Sequence, residues 1–256
     1  MSRVTGLRSV TATRYAMALR EGGSLPGLLE AEDNGLYVVK FRGAGQGPRS
    51  LVAEVLVGEL ARALGLPVPE QVLIEVDPSL GLAEPDPEIQ ELLAASGGQN
   101  LGLDFLPGSA TYSPAAGFAV DPSLAAEIVW LDALVTNVDR TAQNPNLLLW
   151  HERLWLIDHG AALYLQHGGL RPAEHAARPF PQIAQHVLLP CAAPILAASE
   201  RLKPLTDRDL LESVVALVPG DWFAGEEPAT YVEYLLARLQ APHGFAEEAE
   251  DARRAA

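Results

Sequence analysis

The sequence predicts an α+β fold in two parts. A small, mostly antiparallel sheet with one prominent helix is expected over residues 1–106, and a mainly helical part over residues 107–256. Three observations predict it. Up to residue 106, short apolar runs alternate with Gly, Pro, Asp and Asn turn signals, as in "LLEAEDNGLYVVKF". From 183 to 240, apolar residues recur at helical spacing, most clearly in "LTDRDLLESVVALV" and "ATYVEYLLARLQ". Between these regions, "NLLLWHERLWLID" sets two apolar runs around a polar centre, the pattern of a β-hairpin.

The elements follow in order. Residues 4–20 alternate enough for a first strand. Residues 27–33 and 35–42 read as two more, joined by the turn Asp33-Asn34-Gly35. The Gly-rich "RGAGQGPRS" then leads into a helix over 50–64, with Ser50 as N-cap and Gly65 where a helix C-terminal glycine stands. "PVPEQVLIEVD" is a strand after a proline stop. A Pro- and acid-rich loop and a short helix over 86–95 precede the strand "LGLDFLPG". Residues 122–137 are apolar enough for a buried helix, 160–182 read as a long loop, and 245–256 as a frayed tail.

Composition narrows the function. A formal net charge of −15 disfavours nucleic acid and anionic membranes as main partners, since both need the opposite sign. No run approaches the roughly 18–20 apolar residues of a membrane helix, and the N-terminus lacks the apolar core of a signal peptide. One cysteine, Cys191, rules out an internal disulfide and suits the cytoplasm; its apolar context reads as a small core residue. Of the 18 basic residues only Lys40 and Lys203 are lysines. Lys40 sits inside the apolar run "LYVVKF". It either projects to water from an edge strand or aims a point charge at a phosphate.

The hairpin gathers oxygen ligands. With His151–Arg153 as its loop, Asp158 falls opposite Asn146 and close to Asn144, with Asp139 a few residues upstream. Two carboxylates and a carboxamide in one place suit Mg²⁺ rather than zinc. His159, His167 and His175 recur every eight residues, which matches no zinc spacing, and read as scattered loop histidines.

Protein kinases place an asparagine five residues after the catalytic-loop aspartate. A metal-binding aspartate follows near a glycine. Asp139 and Asn144 have that spacing, and Asp158 stands in "IDHG", although "NVDR" replaces the His-Arg-Asp triplet. This variant resembles the HipA-like kinases and the phosphatidylinositol 3/4-kinases. "GGSLPGLLEAEDNGLYVVKF" and "LVAEVLVGELARALGLPVP" make the HipA-like match the better one, closest to the short single-domain bacterial members. The resemblance runs from about residue 10 to 165 and more weakly through "YVEYLLARL". No counterpart of the separate N-terminal segment of the longer HipA toxins is evident, which counts against a HipB-type antitoxin as partner.

The resemblance implies a bilobal protein-kinase-like fold and an ATP- and Mg²⁺-dependent phosphotransferase acting on a hydroxyl, foremost a protein serine or threonine. A non-catalytic nucleotide-binding module and an AMP transferase on the same fold are the alternatives. It implies Asp139 as catalytic base, Asn144 and Asp158 as metal ligands, and Lys40 on the ATP phosphates, paired with a helix glutamate. Helical periodicity does not choose between Glu54 and Glu59; the family pattern points to Glu54. Arg140 would brace the catalytic loop. The phosphate loop is either Gly22-Gly23-Ser24, which topology favours, or Gly43, Gly45 and Gly47. Asp104, Phe105 and Leu106 fall, by order along the chain, where backbone groups would meet adenine.

Overall fold

A computed structural model describes residues 6–19, 25–44, 47–82, 84–241 and 244–256. Its first part is a closed barrel in the order β1-β2-β3-β5-β4. The strands are β1 (Arg8–Ala18), β2 (Gly27–Ala31), β3 (Leu36–Lys40), β4 (Gln71–Val76) and β5 (Gly98–Asp104). Four of the pairings are antiparallel, and β1 with β4 is parallel. Closure depends on β1. Its register slips between Ala12 and Arg14 and again between Tyr15 and Met17, so it bends; residues 8–11 pair with β4 and residues 12–18 with β2. The expected turn joins β2 to β3, with Asn34 at φ 61° and the Asp33 carboxylate accepting from Gly35 N at 2.9 Å. Because β3 is paired with β2 on one side and β5 on the other, Lys40 is not an edge-strand lysine.

Helix α1 (Pro48–Ala63) follows β3. It starts two residues earlier than the sequence suggests. Gly47, at φ 67°, is its N-cap and Pro48 opens the first turn, while Ser50 turns its hydroxyl back to the Gly47 carbonyl at 2.8 Å. Gly65, at φ 87°, ends it as expected. Every residue of α1 from Leu51 to Ala61 is buried. That is why its apolar residues mark no single face. Its side chains join the core of the helical part, not the separate core inside the barrel formed by Leu29, Val39, Val72 and Ile74.

Helix α2 (Pro87–Ala95), N-capped by Asp86, lies between β4 and β5. A small sheet then joins β6 (Ala110–Thr111) to the hairpin of β7 (Leu147–Trp150) and β8 (Arg153–Leu156). Helix α3 (Pro122–Val135) is capped by Asp121 and buried from Ala125 onward, apart from Glu127. Short helical turns and α4 (Pro172–Ala176) interrupt the expected long loop. The remaining helices are α5 (Ile195–Leu202), α6 (Arg208–Val215), α7 (Pro228–Gln240) and α8 (Phe245–Ala255).

Two expectations are corrected. The hairpin loop has two residues, not three: His151 and Glu152 both have positive φ, and Arg153 pairs with Trp150. The register therefore moves by one, so Asn146 lies opposite Ile157, whose N–H it accepts at 3.1 Å. The tail is helix α8, not frayed. Phe245 packs edge-on against Trp130 at 5.4 Å, and the buried Glu250 accepts the backbone N–H of Ile195, the first residue of α5, at 2.7 Å. Those contacts are with residues far away in sequence, and the charged composition of the tail gave no sign of them.

Candidate active site

The end of β3, the middle of α1 and the segment after β8 converge on one carboxylate. Glu54 is 1% exposed. It pairs with Lys40 Nζ and accepts the backbone N–H groups of His159, at 2.9 Å, and Gly160, at 2.6 Å. Lys40 Nζ also reaches Asp158 Oδ1 at 2.5 Å. Glu59 lies near the end of α1 against Arg62, 3.4 Å away, so the lysine partner is Glu54. Gly160 leaves room for this arrangement, because a Cβ there would come within 2.9 Å of Glu54 Oε1. Asp158 itself sits at φ 55°, in the left-handed region, which aspartate enters more readily than most non-glycine residues.

The three charges act on one another. Burial disfavours the charged form of Lys40, but Glu54 and Asp158 outweigh it and hold the ammonium above its ordinary pKa. The Lys40 charge holds Asp158 well below the carboxylate range. Burial pushes Glu54 up to about 7 despite the pull of Lys40.

A second cluster forms around the segment after α3. Asp139, half-buried, accepts the side-chain amides of Asn144 at 2.7 Å and Asn146 at 3.3 Å on the same oxygen. Asn144 and Asn146 thus both serve Asp139. Asp158 belongs instead to the Lys40 cluster. The two clusters are joined by Arg140. Its guanidinium binds the carbonyls of Asn146 and Ile157, and His159 Nδ1 at 3.2 Å. It rests on Asp132 of α3 at 2.6 Å. His159 is therefore no scattered loop histidine: it is fully buried, and burial together with Arg140 pushes it down to about 3, so it is neutral. Sequence reasoning missed Asp132 and His186, which meet at 2.9 Å. Asp132 had a visible signal as the one acid in the apolar run "IVWLDALV".

The remaining sequence candidates divide. Gly22, Gly23, Ser24 and Gly45 lie outside the described residues. Gly43 and Gly47 spend their N–H groups on Ser96 Oγ, at 3.2 Å, and the Ala44 carbonyl, at 2.8 Å. A Cβ on Gly43 would meet Ser96 and Ala95, so close packing accounts for that glycine. At the end of β5, Asp104 N donates to Glu70 O and Phe105 N to Leu36 O, each at 2.9 Å. Asp104 and Leu106 line a cavity of about 500 Å³ with Glu59, Arg62, Trp150 and Trp155. That cavity contains none of Lys40, Asp139, Asn144 or Asp158. Cys191 is half-buried and free.

Among the described residues no helix is long and apolar enough to cross a membrane, and no three His, Cys, Asp or Glu side chains gather as a metal cluster. The available donor set is instead carboxylate and carboxamide oxygen, which suits a hard, partly hydrated cation such as Mg²⁺.

The family model for HipA-like kinases matches residues 15–241. No curated protein matches the sequence. In structure the chain is similar to the Helicobacter pylori proinflammatory kinase CtkA, with TM-score 0.57 and 15% identity over 94% of this chain and 97% of that one. It is also similar to a Golgi casein kinase with Mn and ADP bound, with TM-score 0.51 and 13% identity over 97% of this chain and 74% of that one. At these identities the likeness shows the fold: the mixed helix-and-sheet architecture is kinase-like.

Proposed function

Because the chain belongs to the HipA-like kinase family, we propose that it moves the γ-phosphate of ATP to a hydroxyl, foremost that of a protein serine or threonine. The observation that carries this reading is the convergence of Lys40, Glu54 and Asp158, joined through Arg140 to the loop bearing Asp139. Phosphoryl transfer asks a protein for little covalent chemistry and much positioning of charge, and this network supplies positioned charge.

In this reading the acceptor hydroxyl oxygen bonds to the γ-phosphorus, the bond to the β,γ-bridging oxygen breaks, and ADP leaves. Asp139 takes the hydroxyl proton. The Asn144 and Asn146 amides hold one of its oxygens and leave the other for that proton. Lys40, anchored by Glu54, sets its charge against the α- and β-phosphates. Asp158 and Asn144 would hold Mg²⁺, which when bound neutralises phosphate charge. Gly22-Gly23-Ser24 is the proposed phosphate loop, supported by the internal use of the Gly43 and Gly47 donors. The Asp104 and Phe105 N–H groups are taken by Glu70 and Leu36, so residues 104–106 would meet adenine through the other backbone groups of that segment. Residues 1–106 then act as the nucleotide lobe and residues 107–256 as the acceptor lobe of a cytoplasmic bacterial enzyme.

The test is incubation with Mg²⁺ and ATP labelled at either the γ- or the α-phosphate, with the protein alone and with added lysate proteins. Label from γ-labelled ATP only, lost in Asp139→Ala, is the expected result. Label from α-labelled ATP would mean AMP transfer. Nucleotide binding without transfer would favour a non-catalytic module.

A further inference from the structure

We infer that Asp132 is the positioning residue of the site, holding both the loop of Asp139 and the segment of Asp158 from the buried face of α3. The inference rests on the proposed phosphotransfer. Asp132 is fully buried, and each of its contacts leads to a different part of the site. Oδ1 accepts from the Asn137 amide at 3.0 Å, and Asn137 Oδ1 in turn accepts the backbone N–H of Asp139 at 3.1 Å. Oδ2 accepts from Arg140 Nε at 2.6 Å, and the far end of Arg140 grips Asn146 O, Ile157 O and His159 Nδ1. Oδ2 also accepts from His186 Nε2 at 2.9 Å. The proton on that nitrogen follows from the other one, since His186 Nδ1 accepts the Leu188 N–H at 3.1 Å.

One carboxylate thus sets three segments. Through Asn137 it fixes the backbone of Asp139. Through Arg140 it ties the start of β7 to the end of β8, next to Asp158. Through His186 it pulls in residues 186–187, which also pair with the loop: Thr141 bridges His186, and Val187 N donates to Arg140 O at 3.1 Å. Arg140 is itself 1% exposed and, among the described residues, has no other carboxylate at salt-bridge distance. Without Asp132 the guanidinium would be a buried charge held only by carbonyls and a neutral imidazole, and it would have to move. A shift of about 1 Å in a catalytic group can cost on the order of a hundredfold in rate.

The experiment uses full-length Asp132→Asn and, as the gentler variant, Asn137→Ala, with folding checked by circular dichroism and melting. For Asn137→Ala we expect kcat to fall at least about tenfold with KM for ATP nearly unchanged, because only the arm to Asp139 is cut. In an Asp139→Asn background the same change should cost nothing further, since its path to the reaction is already gone. A multiplicative loss in that background, or a folded Asp132→Asn with wild-type kcat, would overturn the inference. A crystal structure of Asp132→Asn provides a readout free of activity. Residues 137–146 and 157–159 should move by about 1 Å or more while α3 stays in place. If the wild type transfers no phosphate, the proposed function fails; unmoved loops in that crystal structure would refute the positioning role by itself.

Discussion

Removing Glu54 should harm the fold far more than removing its lysine partner. Glu54→Ala strands the N–H groups of His159 and Gly160, both of which donate to the lost carboxylate inside the protein. A buried donor without a partner costs about 1–3 kcal/mol, so the two together cost about 2–6 kcal/mol. Lys40 keeps Asp158 and adds less. The expected loss is therefore about 3–5 kcal/mol, the range seen when one side of a buried ion pair is removed. Lys40→Met leaves Glu54 with both backbone donors, and its remaining charge can be removed by a proton. Lys40 lowers the Glu54 pKa, so without it the carboxyl stands above the value of about 7 that it has in the wild type; at neutral pH it takes up a proton, and the cost is at most about 2 kcal/mol. The sign is clear. A carboxyl whose folded pKa lies above its unfolded value of 4.5 favours the folded state in acid and loses that contribution as pH rises through about 7. The deficit of Lys40→Met should thus shrink between pH 8 and pH 6, whereas that of Glu54→Ala should not. Urea denaturation of both variants at the two pH values decides it. Equal losses, or a larger loss in Lys40→Met, would show that the backbone donors on Glu54 do not dominate its contribution.

Gly160→Ala places a methyl 2.9 Å from Glu54 Oε1. It should cost about 1–3 kcal/mol by overpacking and lower phosphotransfer in parallel, read by melting and by activity. Burial opposes the charge on Asp132, but Arg140 and His186 outweigh it and hold this carboxylate below its usual 3.8. Its stabilisation is complete above that value and is lost as pH falls through the depressed one. An acid titration of unfolding should therefore be steep below about pH 4 in the wild type and flatter in Asp132→Asn. Phe245→Ala removes the ring packed on Trp130 and should cost about 3–5 kcal/mol by chemical denaturation, in a segment whose composition suggests no fold.

Much of the site was legible because its chemistry is local in sequence. The five-residue step from Asp139 to Asn144 and the hairpin ending in Asp158 are read along the chain. What closes the site is not local. The Glu54 contacts to Lys40, His159 and Gly160 span from 14 to 106 residues. Periodicity could not choose Glu54 over Glu59 because α1 is buried on every side. The family pattern had favoured Glu54. The hairpin register was off by one because the sequence "HER" does not announce that His151 and Glu152 both take positive φ. The barrel escaped notice for a related reason: its closure depends on irregularities within β1 that no alternation pattern marks. Asp132 was passed over as one acid in an apolar helix, where only the folded chain reveals Arg140, Asn137 and His186 around it.

The proposed reaction turns on Asp139 taking the acceptor proton. Its most direct test is Asp139→Asn, which keeps the shape of the side chain and an oxygen for Asn144 or Asn146. Nucleotide binding and γ-phosphate transfer should be measured on the same preparation, beside wild type. ATP should bind within a few-fold of wild type, and transfer should fall at least about a hundredfold. Transfer retained in Asp139→Asn with full binding would contradict it and move the catalytic role to another residue.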